Sequence, residues 1–285
     1  MAIFHNWLLY VVLYLVLATV FTQFFKVATK TLKKAGALTI LLQMIAGLSA
    51  LVLCPLFEFK FPTDIRIYIM LAISILFYAI TDRVNTTVRS GIEASTFSML
   101  KQLSTTFMIF AGLLFLKEEF IITKFIGAML IIISNVIIFY KKGKFEWNKY
   151  VLFGILANIS YTIALFLDVN ISDNFNLPFY VAVTLLVPSI LIMLFERIKP
   201  FEIKEEFVNG NKKAILITAF CWAFSIISQL RAYQLGNVTV IAPLCALTVM
   251  LNVIVGYLFL NERDNLIRKI ISAILIIISI VLIKI

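Results

Sequence analysis

Two stretches of this chain are near-copies of each other. Residues 114–134 read LFLKEEFIITKFIGAMLIIIS, and residues 258–279 read LFLNERDNLIRKIISAILIIIS. Leu114-Phe115-Leu116 aligns with Leu258-Phe259-Leu260, and Glu118 with Glu262. After one extra loop residue, Ala128 falls on Ala273 and Ser134 on Ser279. The offset is half of a 285-residue chain, so the chain is a duplication. Both copies are apolar enough to lie in a bilayer. Duplicated membrane proteins place substrate sites where two repeats meet, which makes a transporter the first expectation.

Hydrophobic residues make up 62% of the chain and charged residues 14%, against roughly 45–50% and about 25% in a soluble domain. A bilayer core of about 30 Å needs about 20 apolar residues per helix. Ten such windows can be marked, at 7–25, 37–57, 66–87, 92–115, 123–140, 149–168, 177–195, 213–233, 238–260 and 266–284. Almost nothing remains for a soluble domain. The expected fold is therefore an all-α integral membrane protein of ten transmembrane helices. One membrane unit is made of an N-terminal five-helix repeat over 1–142 and a C-terminal five-helix repeat over 143–285.

The first window lacks a basic leader (only His5 precedes it) and a small-residue cleavage site, so it reads as a retained helix rather than a signal peptide. Cys54, Cys221 and Cys245 sit in apolar runs without CxxC spacing and read as inert buried thiols. No Gly-rich phosphate loop, metal cluster or nucleophile elbow occurs, so neither an enzyme nor a metal protein is expected. The formal net charge of +10 does not signal nucleic acid. The basic residues cluster in connections: Lys26, Lys30, Lys33 and Lys34; Lys141, Lys142, Lys144 and Lys149; Arg197, Lys199, Lys204, Lys212 and Lys213. With Arg83, Arg89, Lys101 and Arg231 set aside as lying in or near spans, odd-numbered connections carry 16 Lys and Arg against 5 on the terminal face. The positive-inside rule then puts the odd connections in the cytoplasm and both termini outside.

Polar residues inside the spans carry the functional signal. Tyr78, Asp82, Asn85 and Arg89 in the third span are spaced i, i+4, i+7, i+11 and form one stripe. In the eighth span Trp222, Ser225, Gln229 and Tyr233, the repeat mates of Tyr78, Thr81, Asn85 and Arg89, form a stripe again. Lipid offers no partner to such groups, and an unpaired one in hydrocarbon costs several kcal/mol. The faces should point into the bundle, as a ligand site or as helix–helix glue. Lys101 lies about eight residues into the fourth window, where a lysine costs roughly 2.5–3.5 kcal/mol on insertion scales. It should meet water, substrate, Glu93 or Asp82, or else snorkel to an interface. Gln102 shares this argument. Tyr14, Asn158 and Tyr161 are further inward candidates, with Tyr14 and Tyr161 at similar places in the two halves. Arg231 is a candidate nearer a helix end.

Each half closes on an apolar-Glu turn, LLFLKEEF or YLFLNERD, before a final apolar helix. Residues 235–263 (LGNVTVIAPLCALTVMLNVIVGYLFLNER) and 90–119 (SGIEASTFSMLKQLSTTFMIFAGLLFLKEE) carry the fuller pattern. In these features the chain resembles the drug/metabolite transporter superfamily, EamA-like branch, over its whole length. It departs from that pattern at Lys117 and Asn261, where a glycine is usual, at Leu17-Ala18, and at Lys101. The resemblance implies inverted five-helix repeats, a central cavity lined by the first, third, fourth, sixth, eighth and ninth spans, and alternating access without ATP. It implies cytoplasmic termini, against the charge count. Glu118 and Glu262 match its loop glutamate, and each is expected to cap the N-terminus of the helix that follows.

The expected function is secondary-active transport of a small polar metabolite in a bacterial inner or plasma membrane, by a monomer or homodimer. No cofactor is expected beyond a proton or sodium gradient. The expected substrate-binding residues are Tyr14, Tyr78, Asp82, Asn85, Lys101, Gln102, Tyr161, Trp222, Gln229 and Arg231. Asp82 with Lys101 suits an amino-acid-like zwitterion or an amine. Lys101 with Arg231 and Arg89 suits a sugar-phosphate-like anion. The aromatic residues around Asp82 suit a choline-like quaternary amine. A non-transporting accessory protein is the remote alternative.

Overall fold

The computed structural model describes residues 6–104, 106–107, 121–141, 144–145, 148–168, 171–236 and 238–284. Eleven helices lie among them: α1 (Trp7–Thr29), α2 (Ala35–Leu51), α3 (Ile65–Gly91), α4 (Ala94–Leu100), α5 (Ile122–Phe139), α6 (Lys149–Asp168), α7 (Leu177–Phe195), α8 (Pro200–Asn209), α9 (Lys212–Leu235), α10 (Val238–Phe259) and α11 (Leu266–Lys284). A two-residue antiparallel ladder, Tyr140–Lys141 (β1) with Lys144–Phe145 (β2), links α5 to α6.

Seven of these helices are long and apolar enough to cross a membrane: α1, α2 with its 3-10 extension to Leu56, α3, α6, α7, α9 and α11. Ile122–Ile138 and Leu244–Phe259 are further apolar stretches. The chain is thus an integral, multi-pass membrane protein. Large apolar side chains face outward along single helix stripes, as Leu8, Val12 and Val16 do on α1 and Leu152, Leu156 and Ile163 on α6. That suits a lipid surround.

Asparagine and aspartate set the helix starts. Asn6, Asp64, Asn148, Asn176 and Asn211 each accept from a backbone N–H of the first turn, at 2.9–3.1 Å. Each takes up one donor that a helix N-terminus cannot bond internally.

Two departures from the sequence expectation stand out. The fourth window is not one rod, because α4 ends at Leu100 and the chain turns at Lys101–Gln102 before resuming helix at Leu103. Its end, 108–115, lies outside the described residues. The stretch between the seventh and eighth windows is not plain loop but holds α8, whose Ile203 and Phe207 pack on the core.

Hydrogen bonds sort the connections onto two faces. On the basic face, Glu206 of α8 is 3% exposed and accepts from the backbone N–H groups of Lys33, at 2.9 Å, and Lys34. Lys34 also pairs with Glu202 at 2.8 Å, and that contact holds the half-buried Glu202 carboxyl below its ordinary value. On the terminal face, the Asn176 amide donates to the carbonyls of Cys54, Phe57 and Glu58, tying the α2–α3 connection to α7.

Across the two halves, α1 packs on α9, α3 on α6, α2 on α7 and α5 on α11. The α5–α11 contact is built from small residues. Ala128 and Ala273 are both fully buried, and Ser272 Oγ donates to Ser134 O at 2.9 Å. Small residues let membrane helices approach closely where no hydrophobic effect drives them together. The repeat mates Ser134 and Ser279 make the same bond, each to the carbonyl three residues earlier at 2.7 Å.

Candidate functional site

The break in α4 is the structural centre of the candidate site. Gln102 N donates to Met99 O at 3.0 Å and Ser104 N to Lys101 O at 3.2 Å, both i→i−3 closures. This tight turn frees carbonyls that α6 satisfies. Asn158 Nδ2 donates to Leu100 O at 3.2 Å, and Thr162 Oγ1 to Ser104 O at 3.3 Å. Non-helical backbone at membrane depth survives only with such partners or beside water. Gly154 makes the approach possible, since a Cβ there would lie 2.3 Å from Leu100 Cδ2.

Lys101 stands on this turn and is exposed, while its neighbours Met99, Leu100 and Leu103 are buried. Its ammonium lies 5.2 Å from the Tyr161 ring centroid. Asp82 and Arg89 of α3 are within electrostatic range of it. Lys101 therefore lies among polar and aromatic groups of α3 and α6.

Several other predicted residues converge here. Tyr161 and Tyr78 form a T-shaped pair with centroids 6.1 Å apart. Tyr14 of α1 lies within electrostatic range of Tyr161, Tyr233 and Cys245. The Asp82 carboxylate accepts from Gln43 Nε2 at 2.9 Å. Asn85 on α3 and Gln102 at the break are half-buried. Trp222 is 7% exposed and belongs to an adjacent aromatic layer, 5.4 Å from Phe21 and 6.0 Å from Phe25. Gln229 stands beside Tyr233 on α9.

Arg231 is placed elsewhere. It stacks 5.6 Å over Phe57 and donates to Gln234, which in turn bonds Asp173, all at the terminal face. It anchors connections there instead of joining Lys101, because it sits on the last turn of α9.

Some residues of this region lie outside the expected ligand set. Asp168, at the end of α6, accepts from Tyr78 OH at 2.6 Å and from Ser74. Gln43 and Gln23 lie in otherwise apolar spans, and each is at most 4% exposed. Gln23 Nε2 donates to Asn252 Oδ1 at 3.0 Å, and Asn252 to Ser98 at 3.1 Å, joining α1, α10 and α4. The sequence signal was their polarity at membrane depth, the same signal that marked Tyr78 and Asp82.

Arg89 is 5% exposed and lies within a cage of three aromatic rings. Its guanidinium carbon is 3.8 Å from the Phe97 centroid, 4.6 Å from Phe25 and 4.9 Å from Phe21. Its Nε and Nη1 are buried with no hydrogen-bond partner among the described residues.

Below it, on the basic face, Glu262 is 6% exposed and accepts from Ala94 N at 2.7 Å, Ser95 N at 3.1 Å and Ser95 Oγ. It was expected to cap the helix that follows it. It caps α4 in the other half instead, because its loop folds back under that helix start. Glu118, its repeat mate, lies outside the described residues. Lys269 pairs with Glu93 at 2.7 Å and lies 3.9 Å from Glu262, and Lys26 Nζ donates to Arg89 O at 2.9 Å. Lys26, Thr96, Glu93 and Lys269 line a cavity of about 300 Å³ here. Among the described residues, no three His, Cys, Asp or Glu side chains converge as metal ligands would.

A fold so built has solved counterparts. One, described as "Crystal structure of protein", superposes with a TM-score of 0.56 over 96% of this chain and 94% of its own, at 12% identity. That likeness concerns the fold alone. No curated protein matches the chain. Residues 148–285 match the model of the EamA-like transporter family.

Proposed function

We propose that the chain is a secondary-active transporter that moves a small polar metabolite by alternating access, and that its halves are inverted repeats. The helix pairings support the repeat. Numbered by windows, first packs on eighth and third on sixth, and exchanging the halves turns one pair into the other. Second on seventh and fifth on tenth map onto themselves. Five spans per half is an odd number, so the second half enters the membrane from the opposite face.

One observation carries the transport reading. A lysine is exposed at a helix break in mid-span, facing Asp82, Arg89 and a tyrosine wall contributed by both halves. An accessory protein gains nothing from a cation there, since an apolar residue would insert at lower cost. Broken helices at the meeting of two repeats are where such carriers bind their cargo. The basic connections are read as cytoplasmic. Uptake into proteoliposomes, with and without an imposed proton or sodium gradient, tests the reading. Gradient-driven accumulation of a small polar solute supports it. Vesicles no more permeable than protein-free ones to amino acids, organic acids and amines would end it.

A further inference from the structure

We propose that Arg89 and Lys101 together bind the carboxylate of an organic monoanion, with the Tyr78–Tyr161 wall against its apolar body. The proposal rests on reading this cluster as the transport site, and it names the substrate class.

The argument begins with charge. Three ionisable groups act on one another at the α4 break: Asp82, Arg89 and Lys101. Two are cations and one is an anion. The neighbouring charges do not close this difference. Asp168, bonded by Ser74 and Tyr78 at the far end of α6, is not among the groups that act on Arg89 or Lys101. On the basic face Lys269 pairs with Glu93 and lies near Glu262, and both glutamates also act on Lys26. Among the described residues at the break the cations outnumber the anions by one, and a buried charge is tolerated only when something neutralises it.

Geometry assigns the surplus. Arg89 has no carboxylate in ion-pair distance among the described residues, and its Nε and Nη1 lack hydrogen-bond partners. Its faces are covered by Phe97, Phe25 and Phe21, so only its edges remain for a ligand. A planar guanidinium edge matches a carboxylate in shape and charge. Lys101, exposed on the neighbouring turn, supplies a second donor. A monoanion brings the cluster to neutrality. An amine would raise the surplus, and a phosphate monoester, at about −1.5 to −2, would overshoot it. The cavity on the basic face has in its wall Lys26, whose ammonium donates to the Arg89 carbonyl, and Thr96, the sequence neighbour of Phe97.

Four probes share one aromatic body: 3-phenylpropionate, phenylalanine, phenethylamine and phenyl phosphate. Isothermal titration of the purified full chain should show 3-phenylpropionate binding tightest and phenethylamine not at all. Arg89→Gln and Lys101→Met should each weaken 3-phenylpropionate binding more than tenfold, with melting temperatures read alongside. Should Arg89→Gln fail to fold, the Lys101→Met protein decides alone. The proposal is overturned if the amine or the phosphate binds more tightly than the carboxylate, if none of the four binds, or if folded Lys101→Met binds 3-phenylpropionate as the parent does. Proteoliposomes separate this from the transport reading. Carboxylate binding without flux removes the transporter and keeps the site. Flux of phenethylamine keeps the transporter and removes the site.

Discussion

Among the described residues no carboxylate lies within ion-pair distance of Lys101, so replacing it strands no buried partner. Lys101→Met should insert, and its melting temperature should hold or rise, because methionine fills similar volume without the desolvation cost. Uptake should fall more than tenfold, since a charge-assisted contact contributes roughly 1.5–3 kcal/mol. Unchanged flux in the folded variant would remove Lys101 from the site. Glu262 is the opposite case, because three donors from the start of α4 converge on its carboxylate. Glu262→Gln should destabilise the protein by about 1.5–3 kcal/mol, read as a lower melting temperature in detergent. A melting curve matching the parent's would show the cap to be dispensable. Tyr78, Asp82 and Lys101 were legible from sequence because each is polar where lipid offers no partner. Arg89 was legible as a member of that stripe, but its aromatic cage was not. Phe21, Phe25 and Phe97 read as ordinary apolar residues until folding brings α1 and α4 around α3.

At the scale of elements, nine of the ten windows meet apolar helices within a few residues of their marked ends, and five of these helices start at an asparagine or aspartate cap. The break in α4 was not legible. ASTFSMLKQLSTTF contains neither proline nor glycine, and the turn is stabilised from α6 by Asn158 and Thr162, some 58 residues away in sequence. Asn158→Leu should therefore leave Leu100 O without that bond and shift the local preference toward continuous helix. The expected signature is slower hydrogen exchange at residues 101–104, with reduced uptake. Exchange unchanged from the parent would locate the cause of the break within α4 itself. The α8 helix is hidden in the sequence for another reason, since ten residues with Glu202, Glu205 and Glu206 read as a solvated connection. In the α5–α11 contact, a Cβ on Gly127 would lie 2.7 Å from Ser279 O and 2.4 Å from Ile283 Cγ1. A backbone carbonyl cannot step aside, so Gly127→Val should cost about 1–3 kcal/mol as an overpacked interface. Thermal melting checks it, and a value equal to the parent's would mean the two helices part freely.

Most basic residues of the connections fall on one face, 16 against 5, and that bias sets a topological expectation. Lys30 is exposed at the end of α1. With Cys54, Cys221 and Cys245 changed to alanine, a Lys30→Cys protein should resist a membrane-impermeant thiol reagent in intact cells and react after permeabilisation. Efficient labelling of intact cells would place both termini in the cytoplasm. The hydrogen bonds that complete α4 have a consequence for biosynthesis. Its start is capped by Glu262 and its break by Asn158 and Thr162, all three from the second half of the chain. A ribosome that has delivered residues 1–142 has delivered a helix with donors and acceptors still open inside the membrane. The N-terminal half is therefore an assembly intermediate until nearly the last loop emerges, and a nascent chain halted before residue 262 presents an unfinished span to the quality-control machinery of the membrane.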